Sequence, residues 1–254
     1  MSSAEAFFVT RTMQAMEVLA FQPCSAPQVA GALQVHPRTA RRLLNKLVAE
    51  GWLTRSEGRR RLYAPTMRIV ALAAQLADRD PLAIAARPVV TQLHEQTGLT
   101  AHLAIPSYRS ALCLVHRAGG PDARPQLREL IPAHATAAGK VLLAFREPWR
   151  ANLLEQPLEP LTTRTIADAD ALEAEAARIV AAGHAIDDEE FRPGLRGIAV
   201  PVRDAAGAVT ASLALAGSAE ELGLELLDEL AGLLATWAGE IERGSKGDGG
   251  GGGG

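Results

Sequence analysis

The fold of the first part of this chain is decided between Ser25 and Gly51, where the sequence is SAPQVAGALQVHPRTARRLLNKLVAEG. Its second half has apolar residues at the i, i+3, i+4, i+7 spacing of one helix face. Pro37 suits the first turn of that helix, where a missing N–H costs little. Gly51 suits the left-handed position just past its end. The predicted apolar stripe consists of Ala40, Leu43, Leu44, Leu47 and Val48.

The opposite face of this predicted helix is basic. At about 100° per residue, Arg38, Arg42 and Asn45 lie opposite the apolar stripe. For a lone helix, a solvated surface is the alternative interpretation of such a face. Flanking positions on the same side are Thr39, Arg41 and Lys46.

The neighbouring segments favour a winged helix-turn-helix. A shorter helix precedes the basic one, with Ser25 as its N-cap and Pro27 in its first turn. Residues 34–36 form the turn between them. A basic hairpin follows, with strands at 52–54 and 60–63 around residues 56–58. The apolar residues assigned to the core are Ala26, Val29, Ala30 and Leu33, together with Val9, Met13, Met16 and Ala20 on a third helix upstream.

Charge is segregated along the chain. Residues 1–75 contain 10 Lys and Arg against 4 Asp and Glu, a net charge of +6, whereas the remainder contains 16 against 25, a net charge of −9. A basic end on an acidic chain is typical of a nucleic-acid-binding module joined to another domain. The predicted DNA-binding residues are Gln28, Arg38, Thr39, Arg41, Arg42, Asn45, Lys46, Arg59, Arg60 and Arg61.

Composition sets the broad class. A chain of 254 residues with 48% hydrophobic and 22% charged residues is long enough for two ordinary globular domains. It has no apolar run of membrane-spanning length and no signal peptide, so we expect a cytoplasmic protein without membrane partners. The two cysteines, Cys24 and Cys113, are expected to be reduced and inert. The tail over 244–254 is expected to be disordered.

Beyond the hairpin, a linker helix is predicted over 65–80, with Met67, Val70, Ala71, Ala74 and Ala77 at helical spacing. It is apolar enough to need a partner, from the body of the chain or from a second subunit. Periodicity and turn residues predict a mixed α/β domain with a mostly antiparallel sheet over 81–243. Its helices are predicted at 82–97, from His134 to Arg146, at 148–155, after Asp168, and after a capping box at 218–221 with an inward stripe of Leu226, Leu230, Leu233 and Trp237. Its strands are predicted at 100–106, 110–117, 126–131, 184–188, 197–203 and 209–216.

Over about 8–243 the chain resembles the IclR family of bacterial transcriptional regulators. The resemblance rests on PRTARRLL in the first part and on TGLTAHLAI, IPAHATAAGKVLLAF and HAIDDEEFRPGLRGIAVPVRDAAGAVTASLALAG in the second. It implies an α+β protein: an N-terminal winged helix-turn-helix over 8–64 (the motif at about 25–44), the linker helix, and a C-terminal GAF-like mixed α/β effector-binding domain. It also implies a homodimer or a dimer of dimers, and control by a small organic or aromatic acid.

The small residues of 134–140 allow two interpretations. They let a ligand approach the N-terminus of a helix, whose N–H groups and dipole attract a carboxylate, or they let the helix pack closely on a sheet. The resemblance favours the ligand. Gly197 stands where a cysteine is common in the family, and Ala214 and Ala216 stand where hydroxyl residues are common, so we expect a roomier, more apolar pocket. The implied effector-binding residues are Ile131, Ala137, Ala138, Gly139, Asp187, Leu195, Gly197, Ala214 and Ala216.

No catalytic or metal motif is present in the sequence. The acidic run 187–190 alternates between the two faces of a strand, which favours a solvated strand end over a metal site. The six histidines lack zinc-site spacing. We therefore expect no cofactor, no metal and no enzymatic activity. The alternatives to a ligand-responsive regulator that binds a pseudo-palindromic double-stranded DNA operator as a dimer are an enzyme domain with a vestigial helix-turn-helix, and a DNA-binding protein without an effector.

Overall fold

The computed structural model describes residues 3–57, 61–118 and 130–246. The chain folds as two compact units, one up to Ala77 and the other from Asp78 onward. None of the helices in the described ranges is long and apolar enough to cross a membrane. Both cysteines are buried, and neither forms a disulfide.

The first unit is a winged helix-turn-helix. A small antiparallel sheet of order β1-β3-β2 lies beside three helices, and a fourth helix follows the sheet. The elements in chain order are α1 (Ser3–Phe21), β1 (Cys24–Ser25), α2 (Ala26–Ala32), α3 (Pro37–Ala49), β2 (Leu53–Arg55), β3 (Leu62–Pro65) and α4 (Met67–Arg79).

The predicted stripe of α3 is confirmed. Ala40, Leu43, Leu44 and Leu47 are buried, and Val48 is half-buried against the same core. Pro37 is in the first turn, and Gly51 has φ of +77° after the helix end. The α2 stripe is also buried, and Gln28 Oε1 accepts hydrogen bonds from the backbone N–H and the hydroxyl of Ser25. Local periodicity therefore determined this part of the fold correctly.

The predicted stripe of the upstream helix was wrong at Met13 and Ala20, whereas Met16 is partly buried against the core. Met13 is 60% exposed and Ala20 is exposed, whereas Ala15 and Leu19 are fully buried. Apolar residues occur on several faces of α1, so the spacing did not single out one of them. The side chain of Val9 lies outside the described residues.

The second unit is a six-stranded antiparallel sheet of order β6-β5-β4-β9-β8-β7 with helices on both faces. Helices α5 and α9 pack on one face, and α6 and α8 on the other. The elements are α5 (Pro81–Thr97), β4 (Thr100–Ser107), β5 (Ser110–Arg117), β6 (Leu130–Pro132), α6 (Ala137–Phe145), α7 (Glu147–Leu154), α8 (Ala169–Ala182), β7 (Ala185–Asp188), β8 (Leu195–Arg203), β9 (Val209–Ser218) and α9 (Leu227–Lys246).

Two helix starts differ from the prediction. Helix α6 begins at Ala137 with Thr136 as its N-cap, so His134 precedes it and its Nε2 lies 2.9 Å from the Glu159 carbonyl oxygen. The predicted box at Ser218 and Glu221 does form, but α9 begins only at Leu227, after a 3-10 turn.

Arg196 explains the late start of α9. Its Nη1 donates to the carbonyls of Ala219 and Leu222, which a continuing helix would use for its own hydrogen bonds. The predicted inward stripe was accordingly displaced: Leu226 is exposed, and Leu227 is buried in its place. The other residues of α9 buried in the core are Leu234, Ala238 and Ile241, with Leu230, Leu233 and Trp237 partly buried against it.

Helix α9 also extends further than predicted. Residues 244–246, assigned to a disordered tail, are helical. A Cβ built on Gly244 would lie 3.1 Å from Ala85 Cβ, so α9 packs closely on α5 at this point, and packing stabilises the last turn. Residues 247–254, and the part of the predicted strand 126–131 before Leu130, lie outside the described residues.

Gly139 and Gly232 allow the packing of α6 to be tested. A Cβ on Gly139 would lie 2.3 Å from the Ala133 carbonyl oxygen, whereas a Cβ on Gly232, in α9, would meet nothing within 4 Å. We expect Gly139→Ala to lower the free energy of unfolding by about 1–3 kcal/mol or more, because backbone must move. Gly232→Ala should raise it by about 0.5–1 kcal/mol, because alanine favours a helix. Denaturant melts measure both, and equal effects would contradict the close contact.

Candidate functional site

The basic face of α3 is open to solvent. Arg38, Arg41 and Arg42 are exposed, and none of the three has a carboxylate partner within the described part of the chain. The imidazole Nδ1 of His36 accepts from the backbone N–H of Arg38 and so caps the helix start. Exposed guanidinium groups on one helix face can contact phosphates and base edges. The other predicted residues of this face, Thr39, Asn45 and Lys46, are exposed as well.

Asn45 is held by the wing. The Tyr63 hydroxyl, from β3, donates to Asn45 Oδ1 at 3.1 Å, although Tyr63 itself is buried. One lone pair of the amide oxygen is therefore occupied, while the Asn45 NH₂ group remains available to an acceptor. Sequence periodicity did not reveal this contact, because it joins residues 18 positions apart.

Of the remaining predicted DNA contacts, Arg61 is exposed at the base of the wing. Arg59 and Arg60 lie outside the described residues. Gln28 uses its amide oxygen to cap α2 through Ser25, so its side chain has a structural role at the helix start.

The predicted effector residues converge on the α6 side of the sheet. Ser212 marks this face, because its hydroxyl donates to the Ala138 carbonyl at 2.9 Å. Strand register places Asp187 opposite Gly197 and Gly197 opposite Ala216, in one row across three strands. A Cβ on Gly197 would lie 3.7 Å from both Ala137 Cβ and Asp187 Cβ. Ile131, Ala137, Ala138 and Ala214 belong to the apolar cluster on the same side, and Leu195 lies two positions before Gly197 on β8.

Gly139 has a packing role. Its missing side chain accommodates the backbone of Ala133, and its N–H donates to the Thr136 hydroxyl. The ligand and packing interpretations of the small residues therefore apply to different positions: Gly139 meets the preceding loop, whereas Ala137 and Ala138 face the sheet.

The start of α6 offers two donors. The N–H groups of Gly139 and Lys140 bond to the Thr136 hydroxyl and carbonyl, respectively. Those of Ala137 and Ala138 have no acceptor among the described residues, and both alanines are buried. Together with the positive end of the helix dipole, they form a site suited to an anion.

The prediction that the acidic run 187–190 is a solvated strand end was wrong. Asp187 is only 3% exposed and Glu190 only 7%. Asp187 Oδ1 accepts from the backbone N–H of Glu190 at 2.8 Å and of Phe191 at 3.3 Å. Burial nevertheless raises the pKa of Asp187 to about 7, because these bonds only partly replace water. The half-buried members of the run pair with arginines instead: Asp188 with Arg164 and Arg196, and Glu189 with Arg164.

A buried ion cluster fixes α6. Lys140, 2% exposed, pairs with Glu190 and, at 3.2 Å, with Glu175 on α8. Burial raises the pKa of Glu190 against the opposing effect of Lys140. Sequence analysis missed this cluster, although a lysine within an otherwise apolar helical segment is a signal of a buried partner.

His102 is a further residue that the sequence analysis missed. Strand register places it on β4 between His116 on β5 and Ala214 on β9, on the same face as Ser212 and α6. It is only 9% exposed, and its Nε2 is buried without a hydrogen-bond partner. Burial, and secondarily the charge of His116, lowers the pKa of His102 to about 4, so the imidazole is neutral at pH 7.

A surface cleft of about 340 Å³ lies elsewhere, between the end of α6, the start of α7 and the β8–β9 turn. Arg203 stacks over the Phe145 ring at 5.0 Å, and Arg146 donates to the Val209 carbonyl. Within the described residues no group of three or more His, Cys, Asp or Glu side chains could hold a metal ion.

The pKa of Asp187 predicts a pH-dependent stability. The folded state retains a proton that the unfolded chain releases between about pH 4 and pH 7, so this group lowers stability as pH rises through that window. Lys140 and Glu190 face it, together with the two backbone N–H donors. We expect Asp187→Asn to gain stability over the wild type, by about 1–3 kcal/mol at pH 8 and less at pH 5. Thermal melts across this range measure the difference, and a gain independent of pH would contradict the assignment.

The family model described as "Bacterial transcriptional regulator IclR C-terminal" matches residues 74–243. The chain is 31% identical over 198 residues to the HTH-type transcriptional regulator BhcR of Paracoccus denitrificans, covering 75% of this chain and 69% of that protein.

Solved structures share the fold. A crystal structure of an IclR transcriptional regulator from Silicibacter sp. TM1040 aligns with a TM-score of 0.81 at 24% identity, covering 94% of this chain and 96% of that one. An IclR homolog from Microbacterium hydrocarbonoxydans, complexed with 4-hydroxybenzoate, aligns with a TM-score of 0.71 at 22% identity, covering 94% of this chain and 99% of that one. With its winged helix-turn-helix and the matched second unit, this chain belongs to the IclR family of transcriptional regulators, and it is not an enzyme.

Proposed function

We propose that this protein binds a double-stranded DNA operator through α3 and the wing, and that a small acid bound on the α6 side of the second unit modulates this binding. The observation that carries the proposal is the exposed basic face of α3, whose three arginines lack carboxylate partners in the described residues. The functional division is an N-terminal DNA-binding domain over 8–64, a linker helix over 65–80 and an effector-binding domain over 81–243.

A homodimer is the assembly we propose, alone or paired into a dimer of dimers. Apolar side chains are exposed on both long helices of the first unit, with Met13 on α1 and Met67, Leu72 and Leu76 on α4. A second copy that covers them would remove this area from water. Two-fold symmetry of the protein would then require a pseudo-palindromic operator with half-sites about one helical turn apart, or a multiple of it. As a DNA regulator, the protein is proposed to act in the cytoplasm.

The effector we propose is an acid with an apolar body. The unbonded N–H groups of Ala137 and Ala138 can receive its carboxylate. Gly197, Ala214 and Ala216 form a floor without hydroxyl or thiol groups, which favours an apolar or aromatic body over a small 2-oxo acid. A screen in which only two- or three-carbon acids bind would refute this part of the proposal.

Arg42→Ala tests the DNA contact. With duplexes selected by the wild-type protein from a random pool, we expect the variant to lose roughly 1–3 kcal/mol of binding free energy if Arg42 contacts a guanine. Fluorescence anisotropy at several salt concentrations measures the loss. An equal loss on unselected DNA would identify a phosphate contact instead.

The matched control is Arg243→Ala, on α9, whose guanidinium is exposed and pairs with Glu240. It should leave DNA affinity unchanged. If Arg42→Ala and Arg243→Ala behave alike on selected DNA, the α3 face is not the DNA-binding surface.

Gly197→Val tests the effector site. Its Cβ would already contact Ala137 and Asp187 at 3.7 Å, so the two methyl groups would occupy the space above the floor. We expect the apparent affinity for acids, measured by ligand-induced thermal shifts in a metabolite screen, to fall at least tenfold. DNA binding in the absence of effector should remain. Gly232→Ala is the control. Unchanged ligand shifts in Gly197→Val would place the effector elsewhere.

A further inference from the structure

A single buried polar group interrupts an otherwise apolar floor. The row next to Asp187, Gly197 and Ala216 consists of Ala185, Ala199 and Ala214 in adjacent strands, followed by His102. The four strands place alanine beside alanine up to the imidazole. The three alanines of this row could be explained by the close packing of α6 on the sheet. His102 is different, since a buried nitrogen without a partner costs free energy that packing does not offset.

The orphaned atom lies within the proposed effector site. Only two buried side-chain nitrogen or oxygen atoms in the described residues lack a hydrogen-bond partner: His102 Nε2 and Glu190 Oε2. Both residues border the α6 side of the sheet, His102 through its register with Ala214 and Glu190 through its backbone bond to Asp187. A buried polar atom that the fold leaves unsatisfied is explained when a ligand supplies its partner.

The spacing suits a ligand of one ring. Strands in a sheet are about 4.8 Å apart, so His102 on β4 and Gly197 on β8, two strands away, are separated by about 10 Å across the sheet. The anion-binding N–H groups of α6 lie above Gly197, since Ala137 is its neighbour. A six-membered ring that carries a polar group at each end has a length suited to this distance.

We propose that His102 is the specificity-determining residue of the effector site: its imidazole hydrogen-bonds a hydroxyl group at one end of a ring acid whose carboxylate lies at the start of α6. The effector class is therefore a hydroxylated ring carboxylate. This inference rests on the proposed effector-binding function and adds the residue and the chemical group that it recognises.

A hydroxyl group fits this position better than other groups. A neutral imidazole has one N–H donor and one acceptor nitrogen, so Nε2 is a donor in one tautomer and an acceptor in the other. A hydroxyl can both donate and accept, so it satisfies Nε2 in either tautomer. A methyl group cannot hydrogen-bond Nε2 in either tautomer, and a second carboxylate can bond it only when Nε2 carries the proton. Because a site built around a hydrogen bond rejects the analogue lacking it, the discrimination should be large.

Calorimetric titration of the full chain tests this with benzoate, 3-hydroxybenzoate, 4-hydroxybenzoate and 4-methylbenzoate. We expect the wild type to bind one hydroxybenzoate at least tenfold more tightly than 4-methylbenzoate. His102→Leu should reduce this ratio to about one while it raises the melting temperature of the unliganded protein, since it removes an unsatisfied buried nitrogen. His102→Gln, which retains a polar group, should keep part of the preference.

His184→Leu is the matched control, because His184 precedes Ala185 and therefore lies on the opposite side of the chain from the floor. It should leave the hydroxyl preference intact. A loss of folding in His102→Leu counts as a lowered melting temperature, and His102→Gln against the wild type tests the hydroxyl preference independently.

Three outcomes would overturn the inference. They are an equal affinity of the wild type for the hydroxylated and methylated acids, a preference that persists in His102→Leu, and a lowered melting temperature in His102→Leu, which would show that the imidazole has a structural partner. If none of the four acids binds, the proposed effector class of hydroxylated ring carboxylates is wrong as well. The proposed regulator function is judged separately, by DNA binding and by the wider metabolite screen.

Discussion

The burial of Lys140 is the constraint on which the second unit depends. Removing an ionised lysine from water is costly, and it is tolerated only where carboxylates compensate it. Here Glu190, after β7, and Glu175, on α8, converge on the Lys140 amine from two elements. The register of α6 relative to the end of β7 and to α8 is thereby fixed. A one-residue rotation of α6 would separate Lys140 from Glu190 and leave both of these buried charges unpaired.

This constraint positions the candidate site. With Lys140 fixed, the first turn of α6 lies over the row of Asp187, Gly197 and Ala216, and the close contact of Gly139 with Ala133 sets the direction in which the chain enters the helix. The unbonded N–H groups, the buried carboxyl of Asp187 and the imidazole of His102 then surround a floor of alanine and glycine. The second unit thus keeps polar groups unsatisfied within a rigid framework, which is the expected arrangement for ligand recognition.

Sequence reasoning succeeded where local periodicity and tertiary packing agree, and α3 is the clearest case. Its apolar stripe, first-turn proline and terminal glycine all specify one amphipathic helix, and its basic face follows from the same periodicity. It failed on α1, where apolar residues occupy several faces and only the body of the first unit selects Ala15 and Leu19. It failed at the start of α9 because Arg196, 23 and 26 positions before the two residues concerned, takes the carbonyls that a helix would need.

The sequence by itself determined the winged helix-turn-helix, the antiparallel α/β character of the second unit and the family to which the chain belongs, because these depend on local patterns and on motifs contiguous in the chain. Only the tertiary structure decided which groups share the site. The pairing of His102 with Ala214, of Lys140 with Glu190 and of Tyr63 with Asn45 depends on strand register and on long-range packing. The acidic run 187–190 shows the difference most directly: its alternation predicted solvated carboxylates, but Asp187 and Glu190 are buried on the α6 side of the sheet.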